Sequence, residues 1–195
     1  TLSCEVASFF SSTTILRPSL PDSSLTSAIP SISLEINRLS VVLKLISIES
    51  ICKKSLVENY AIDIAIFDID NFRKINDSTN EDFISNLLAT TGKYISTLLR
   101  DSDTASSNQE RYYCLLPNTD ASGAVFFAGR VKESVERENY SFNGKKVKIT
   151  LSAGIANYPD NSTDVSQLLK SATKAVMEAK KAGGNRAVIF KTEEE

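Results

Sequence analysis

The stretch Tyr60-Ala-Ile-Asp-Ile-Ala-Ile-Phe-Asp-Ile-Asp-Asn-Phe-Arg-Lys-Ile-Asn-Asp77 decides the fold. Its apolar run, Ile62 to Phe67, is short, rich in isoleucine and bounded by polar residues. Such a run reads as a strand buried on both faces in the middle of a sheet. It ends in Asp68-Ile-Asp70. A carboxylate pair at a strand end is costly unless it meets solvent, a cation or a polar ligand. Strand ends are also where open α/β sheets hold their ligands. The plainer alternative is that Asp68 or Asp70 caps the next turn, with Asn71 helping.

Upstream, residues 1–30 are dense in Ser and Thr and contain Pro18, Pro21 and Pro30. They read as a linker, the tail of something preceding. Residues 31–56 carry Ile32, Ile36, Leu39, Leu43 and Ile46 at alternating steps of four and three, a leading helix with one narrow apolar seam. The seam fits two partners equally: the domain's own sheet, or a second copy of the chain.

Residues 57–192 read as the domain. Ile84, Leu87, Leu88, Thr91, Ile95 and Leu98 mark an amphipathic helix. A polar loop is expected at Ser106 to Gln109, then a strand, Tyr112 to Leu116, stopped by Pro117; the pair of runs suggests a hairpin. Asn118, Thr119 and Asp120 offer N-caps to a helix with Ala124, Phe127, Ala128, Val131 and Val135 on one face. Phe142-Asn-Gly-Lys145 reads as a hairpin turn and Lys146 to Ala156 as an alternating strand. Val165 to Ala179 marks the last long helix, Gly183-Gly184 its stop, and Ala187 to Phe190 a closing strand. The alternation of helices and strands implies an α/β (α+β) layer of sheet covered by helices.

Composition narrows the chemistry. The net charge is −2, with no basic field to recruit nucleic acid. Cys4, Cys52 and Cys114 are scattered without metal-like spacing, which suits a reducing cytoplasm. The chain has no histidine, so a Ser-His-Asp triad, a Cys-His pair and histidine metal sites are excluded. Any metal would sit on oxygen ligands, which points to a hard cation such as magnesium. No apolar run is long enough to cross a bilayer. The chain begins with Thr1 and reads as an excised piece, leaving room for a membrane tether or sensor upstream.

Three motifs carry a family resemblance. Phe67-Asp-Ile-Asp-Asn-Phe-Arg-Lys-Ile-Asn-Asp77 resembles the Asp-x-Asp-x-Phe-Lys-x-x-Asn-Asp signature of GGDEF domains, the diguanylate cyclases. Ile149-Thr-Leu-Ser-Ala-Gly-Ile-Ala156 resembles their Val-Thr-x-Ser-x-Gly-Ile-Ala strand, and Ala172 to Lys180 their Ala-Asp-x-Ala-x-Tyr-x-Ala-Lys helix. A faint echo of the leading Asp-x-Leu-Thr motif stands at Ser24-Leu25-Thr26, and the likeness runs from about Leu25 to Phe190. It implies a palm-like, ferredoxin-type fold with a central antiparallel sheet flanked by helices. It also implies two facing domains that join two GTP into cyclic di-GMP, with magnesium on carboxylates.

The departures reshape that expectation. The signature turn falls on Asn108-Gln109-Glu110-Arg111-Tyr112. Side chains at Asn108 and Gln109 replace glycines that let backbone approach the nucleotide. Glu110 keeps a carboxylate at one metal position, but Arg111 stands where the essential acid belongs, and a guanidinium repels magnesium. The guanine-binding Asp falls on Ser85, and the phosphate-binding Arg on Gly184, with Arg186 two residues on. Asp68, Asn76, Glu110 and Lys180 are therefore read as remnants of a cyclase site, with no catalysis and no magnesium expected. By contrast, Arg100, Asp103 and Arg130 match the family's product site, where arginine forks guanine and phosphate and the carboxylate accepts from guanine. The resulting expectation is a catalytically silent receptor for cyclic di-GMP that needs no cofactor. The rivals are a dimerisation or protein-docking module that binds no nucleotide, and a weakly active cyclase.

Overall fold

The computed structural model describes residues 14–15, 58 and 60–191. In chain order the elements are β1 (Thr14–Ile15), β2 (Ile62–Ile69), α1 (Phe72–Ser78), α2 (Glu81–Leu98), β3 (Thr104–Asn108) and β4 (Arg111–Pro117). They continue with α3 (Ala121–Arg137), β5 (Ser141–Phe142), β6 (Lys145–Lys146), β7 (Leu151–Tyr158), α4 (Val165–Lys181) and β8 (Ala187–Ile189). The seam Ile32 to Ile46 lies outside the described residues.

The main sheet runs β1-β3-β4-β2-β7-β8. All its ladders are antiparallel except β7–β8, which is parallel. β2 is central, pairing β4 from Ile62↔Pro117 to Asp68↔Arg111 and β7 from Ile62↔Tyr158 to Ile69↔Leu151. Every residue of β2 is buried, which explains its apolar run, broken between Ile62 and Phe67 only by Asp63. Alternation still sorts its side chains. Ile62, Ile64 and Ile66 pack with Leu168, Ala172 and Val176 of α4. Ala65, Phe67 and Ile69 belong to the opposite core, with Leu87 and Ile95 of α2 and Phe127, Ala128 and Val131 of α3. The observed architecture is the helix-flanked, central antiparallel sheet that the resemblance implied.

The three long helices are started by side-chain caps. Asn80 accepts from the Phe83 amide, Asp120 from Gly123 and Asp164 from Gln167. α4 ends as expected at its glycines: the Gly184 amide donates to Ala179 and the Gly183 amide to Lys180, a Schellman closure with Gly183 at φ 105°. Cys114, free and buried, stands in the middle of β4, where burial pushes its thiol well above the ordinary value.

Three boundaries differ from expectation. Ser106 to Asn108 are strand, not loop, and the turn shrinks to Gln109-Glu110. Within Thr104–Asn108 only Ala105 is buried, so side chains gave no period; the backbone ladder with β4 holds the strand in place. The run Lys146 to Ala156 is broken: β6 pairs with β5 around a turn with Asn143 at φ 50° and Gly144 at φ 74°, and β7 starts only at Leu151. Val147 and Ile149 pack into the core from the connection between them and so mimic strand residues. Finally, Thr14–Ile15, inside the stretch read as linker, pairs with β3 at the sheet edge.

Candidate functional site

β2 delivers Asp68 at its end on the α4 face, continuing the row of Ile62, Ile64 and Ile66. The carboxylate is 2% exposed and held by two cations. The Arg111 guanidinium donates through Nε to Oδ2 at 2.8 Å, and Lys180 Nζ donates to Oδ1 at 2.5 Å. Arg111 stands directly across the ladder from Asp68, which sets its reach. Lys180 comes from the last turn of α4. Burial works against the charge on Arg111, but the hydrogen bond and charge of Asp68 outweigh it and hold the guanidinium above its ordinary value. Burial raises the hydroxyl of Tyr113, two residues on, and the neighbouring Arg111 partly offsets that rise.

Asp70 has a different role, missed from the sequence. Its Oδ1 accepts from Ser152 Oγ at 2.6 Å; its Oδ2 accepts from Thr150 Oγ1 at 2.7 Å and from the Asn185 amide at 2.9 Å. It ties the end of β2 to the start of β7 and to the loop after α4. A side chain at Gly184 would come within 3.1 Å of this carboxylate. Neither aspartate caps the next turn: Asn71 takes the N-cap position of α1 without a side-chain bond. The available signal was the Thr-x-Ser spacing of residues 150 and 152, two hydroxyls on one side of a chain entering a strand.

Among the other expected residues, Asn76 lies exposed on the short α1 and Glu110 half-buried in the β3–β4 turn. Among the described residues neither joins the Asp68 ion pairs. The turn keeps the backbone form that glycine serves, because Gln109 adopts φ 52°. A left-handed φ costs a side chain about 1 kcal/mol. Gln109→Gly is therefore expected to raise stability by about 0.5–1 kcal/mol. A higher urea midpoint would show it; an unchanged or lower one would show that the turn is unstrained.

The magnesium implied by the resemblance does not fit this donor set. Both Asp68 oxygens are engaged by protein cations, and those of Asp70 by three donors. Among the described residues no group of three or more Asp, Glu or Cys is placed to hold a metal ion. A divalent ion would have to compete with Arg111 for Asp68 Oδ2 or with Lys180 for Oδ1.

On the far side of the sheet, Arg100 follows α2 and forms a closed turn with Asp103. The Arg100 amide donates to Asp103 Oδ2 at 2.8 Å, and the Asp103 amide returns a bond to the Arg100 carbonyl at 3.0 Å. Arg130 is exposed on α3, which packs against α2. Among the described residues the ion pairs are Asp68 with Arg111 and Lys180, Glu133 with Arg137, and Glu136 with Lys148. The guanidinium groups of Arg100 and Arg130 take part in none of them. No helix of the described residues is long and apolar enough to cross a membrane.

Comparison with known proteins follows the same lines. The family model described as "Diguanylate cyclase, GGDEF domain" matches residues 45–186. Diguanylate cyclase A of Treponema denticola is 33% identical over 131 residues, 67% of this chain and 35% of that protein. The chain thus spans about a third of the length of this curated relative. Among solved structures, the GGDEF domain of DgcB from Caulobacter crescentus in complex with c-di-GMP superposes with a TM-score of 0.68 at 19% identity, covering 74% of this chain and 86% of that one. Diguanylate cyclase SiaD, in complex with its activator SiaC from Pseudomonas aeruginosa, gives 0.69 at 23% identity, covering 75% and 56%. These two likenesses establish the fold. The family match corrects one expectation. Absence of enzymatic activity was inferred from Arg111 and the lost glycines, but the family is an enzymatic one and the relatives include diguanylate cyclases. A change of residues at a turn does not outweigh that assignment. The chain belongs to the GGDEF family, over the greater part of its length.

Proposed function

We propose that this GGDEF domain serves cyclic di-GMP signalling and binds the dinucleotide through Arg100, Asp103 and Arg130. The carrying observation is the Arg100–Asp103 turn, closed by two hydrogen bonds while the Arg100 guanidinium stays outside every ion pair of the described residues. A preformed turn lowers the ordering cost of binding. An unengaged guanidinium offers a planar fork to a guanine edge or a phosphate. Arg130 supplies a second cation from α3, and Asp103 an acceptor for guanine nitrogens. The solved c-di-GMP complex of the similar DgcB domain supports the choice of ligand.

Calorimetric titration with cyclic di-GMP is expected to give a Kd of about 1 µM or tighter. Arg100→Ala is expected to weaken it at least tenfold, about 1.4 kcal/mol or more. No heat at high ligand concentration would end the proposal.

A second reading, cyclisation of GTP at the Asp68 end, is favoured by the family itself. Incubation with GTP and magnesium followed by chromatography tests it: accumulating cyclic di-GMP supports it, and no product over hours ends it.

A further inference from the structure

α3 carries one ring that the core does not take. Ala124, Phe127, Ala128, Val131 and Val135 form its buried face, and Phe127 meets Phe67 edge to face with ring centroids 5.9 Å apart. Phe126 lies off that stripe and is 69% exposed, the most exposed large apolar side chain among the described residues. A lone exposed phenylalanine is ordinary on a protein surface. The neighbours of this one set it apart.

Residues three and four apart share a helix face, with Cβ atoms about 5–6 Å from one another. Toward the end of α3 these neighbours of Phe126 are Gly129 and Arg130; toward its start they are Gly123 and Ser122. Three of the four are small, and a side chain at Gly129 would meet nothing within 4 Å. The surface between the ring and Arg130 is therefore open. Arg130 itself is exposed and enters none of the ion pairs of the described residues.

The packing of the helices brings this face to the level of Arg100. Tyr94 of α2 donates to Glu138, just past α3, and Phe83 of α2 meets Phe142 edge to face, so α2 and α3 run antiparallel. From the Tyr94–Glu138 bond, Arg100 lies about 13 Å on along α2 and the extended Leu99, and Arg130 about 12 Å back along α3. Phe126 stands one turn, about 6 Å, beyond Arg130.

We propose that Phe126 is the stacking platform for a guanine base of cyclic di-GMP, the base lying on the ring while Arg130 holds the adjoining phosphate. The inference rests on the reading of Arg100, Asp103 and Arg130 as the dinucleotide site. Arginine and carboxylate engage the edge of guanine and the phosphate, which leaves the face of the base to water. An aromatic ring covers that face. Every base has such a face, so the ring adds affinity, and the preference for guanine stays with Arg100 and Asp103.

The test is calorimetry with cyclic di-GMP on the parent chain and on Phe126→Ala, Phe126→Leu and Phe126→Trp. Phe126→Ala should weaken binding about tenfold or more. Phe126→Leu keeps apolar bulk without a flat face and should lose nearly as much. Phe126→Trp should bind within about threefold of the parent chain. The chain contains no tryptophan, so this variant carries a single indole, whose fluorescence should fall as guanine stacks on it. The ring lies outside the core, so the melting temperature of Phe126→Ala should stay within about two degrees of the parent's. Affinity unchanged in Phe126→Ala and Phe126→Leu, with no quenching in Phe126→Trp, overturns the stacking role and leaves the dinucleotide reading to its Arg100→Ala test. No heat from the parent chain overturns both. Sedimentation showing self-association that Phe126→Ala abolishes, with ligand affinity unchanged, gives the ring to a second copy of the chain and also overturns the proposal.

Discussion

Gly154→Ala is expected to cost about 3 kcal/mol or more, a large share of the roughly 5–15 kcal/mol that holds a domain folded. Gly154 lies in β7, opposite Ile66 of the central strand and Val188 of β8. There the α4 backbone rests on the strand. A methyl group at Gly154 would meet the Ala172 carbonyl oxygen at 2.2 Å, the Val176 nitrogen at 2.4 Å and Val176 Cγ2 at 2.8 Å. The first two are main-chain atoms of a helix and have no rotamer to retreat into. Relief requires moving α4 away, which opens the contacts of Leu168, Ala172 and Val176 with Ile62, Ile64 and Ile66. Packing makes that motion expensive. Adding Val176→Ala removes only the side-chain clash and should recover little. Urea unfolding followed by circular dichroism measures both. A loss under 1 kcal/mol for the single substitution would mean that strand and helix do not touch as described.

Arg111→Glu is expected to have the second-largest effect, and in two directions. Without divalent metal the variant loses about 2–3 kcal/mol. The substitution deletes the Nε–Oδ2 bond and sets a second carboxylate against the buried Asp68, leaving Lys180 as its one counter-charge. Arg111 is 44% exposed on its side chain, which puts the cost at the low end for a buried pair. With magnesium the sign reverses: Asp68 Oδ2 is released from Arg111, and the new carboxylate stands across the ladder from it, which offers oxygen donors of the kind that hard cations take. The melting temperature of the variant should rise by several degrees with millimolar magnesium, while that of the parent chain stays within a degree. GTP turnover to cyclic di-GMP should rise at least tenfold over the parent chain. Arg111→Gln, which removes the cation without adding an acid, should show neither gain. A parent chain that responds to magnesium as strongly as the variant would mean that Arg111 does not hold Asp68.

The central strand was legible because burial on both faces writes itself as a short run rich in isoleucine. The long helices were legible because each buries one stripe and starts at a capping residue. β3 was not, since Thr104-Ala-Ser-Ser-Asn buries one side chain and belongs to the sheet by its backbone alone. At the site, Asp68, Arg111 and Lys180 do meet, 43 and 112 residues apart. The motifs located these residues; they did not tell that the cations would fill both carboxylate oxygens. The inference from Arg111 and the lost glycines to an absence of catalysis went further than residue identities allow. Asp70 was misread because its partners Thr150, Ser152 and Asn185 are remote, and the Thr-x-Ser spacing does not say which carboxylate it meets across the sheet. Asp63 was passed over because it interrupts the run it sits in. A carboxylate inside one apolar strand and an amide inside another, Asn157, is a pattern that becomes meaningful once the register pairs them and the amide donates to the carboxylate.

Cys114 offers a practical handle. Its sulfur is sealed in the mid-sheet strand β4 and its proton is held more tightly than a free thiol's. Alkylating reagents attack the thiolate. Modification at this position therefore waits for β4 to leave its neighbours, and its rate counts how often the middle of the sheet comes apart. Peptide mass spectrometry separates it from Cys4 and Cys52. The chain thus carries its own stopwatch for opening, against which each substitution above can be timed without an added label.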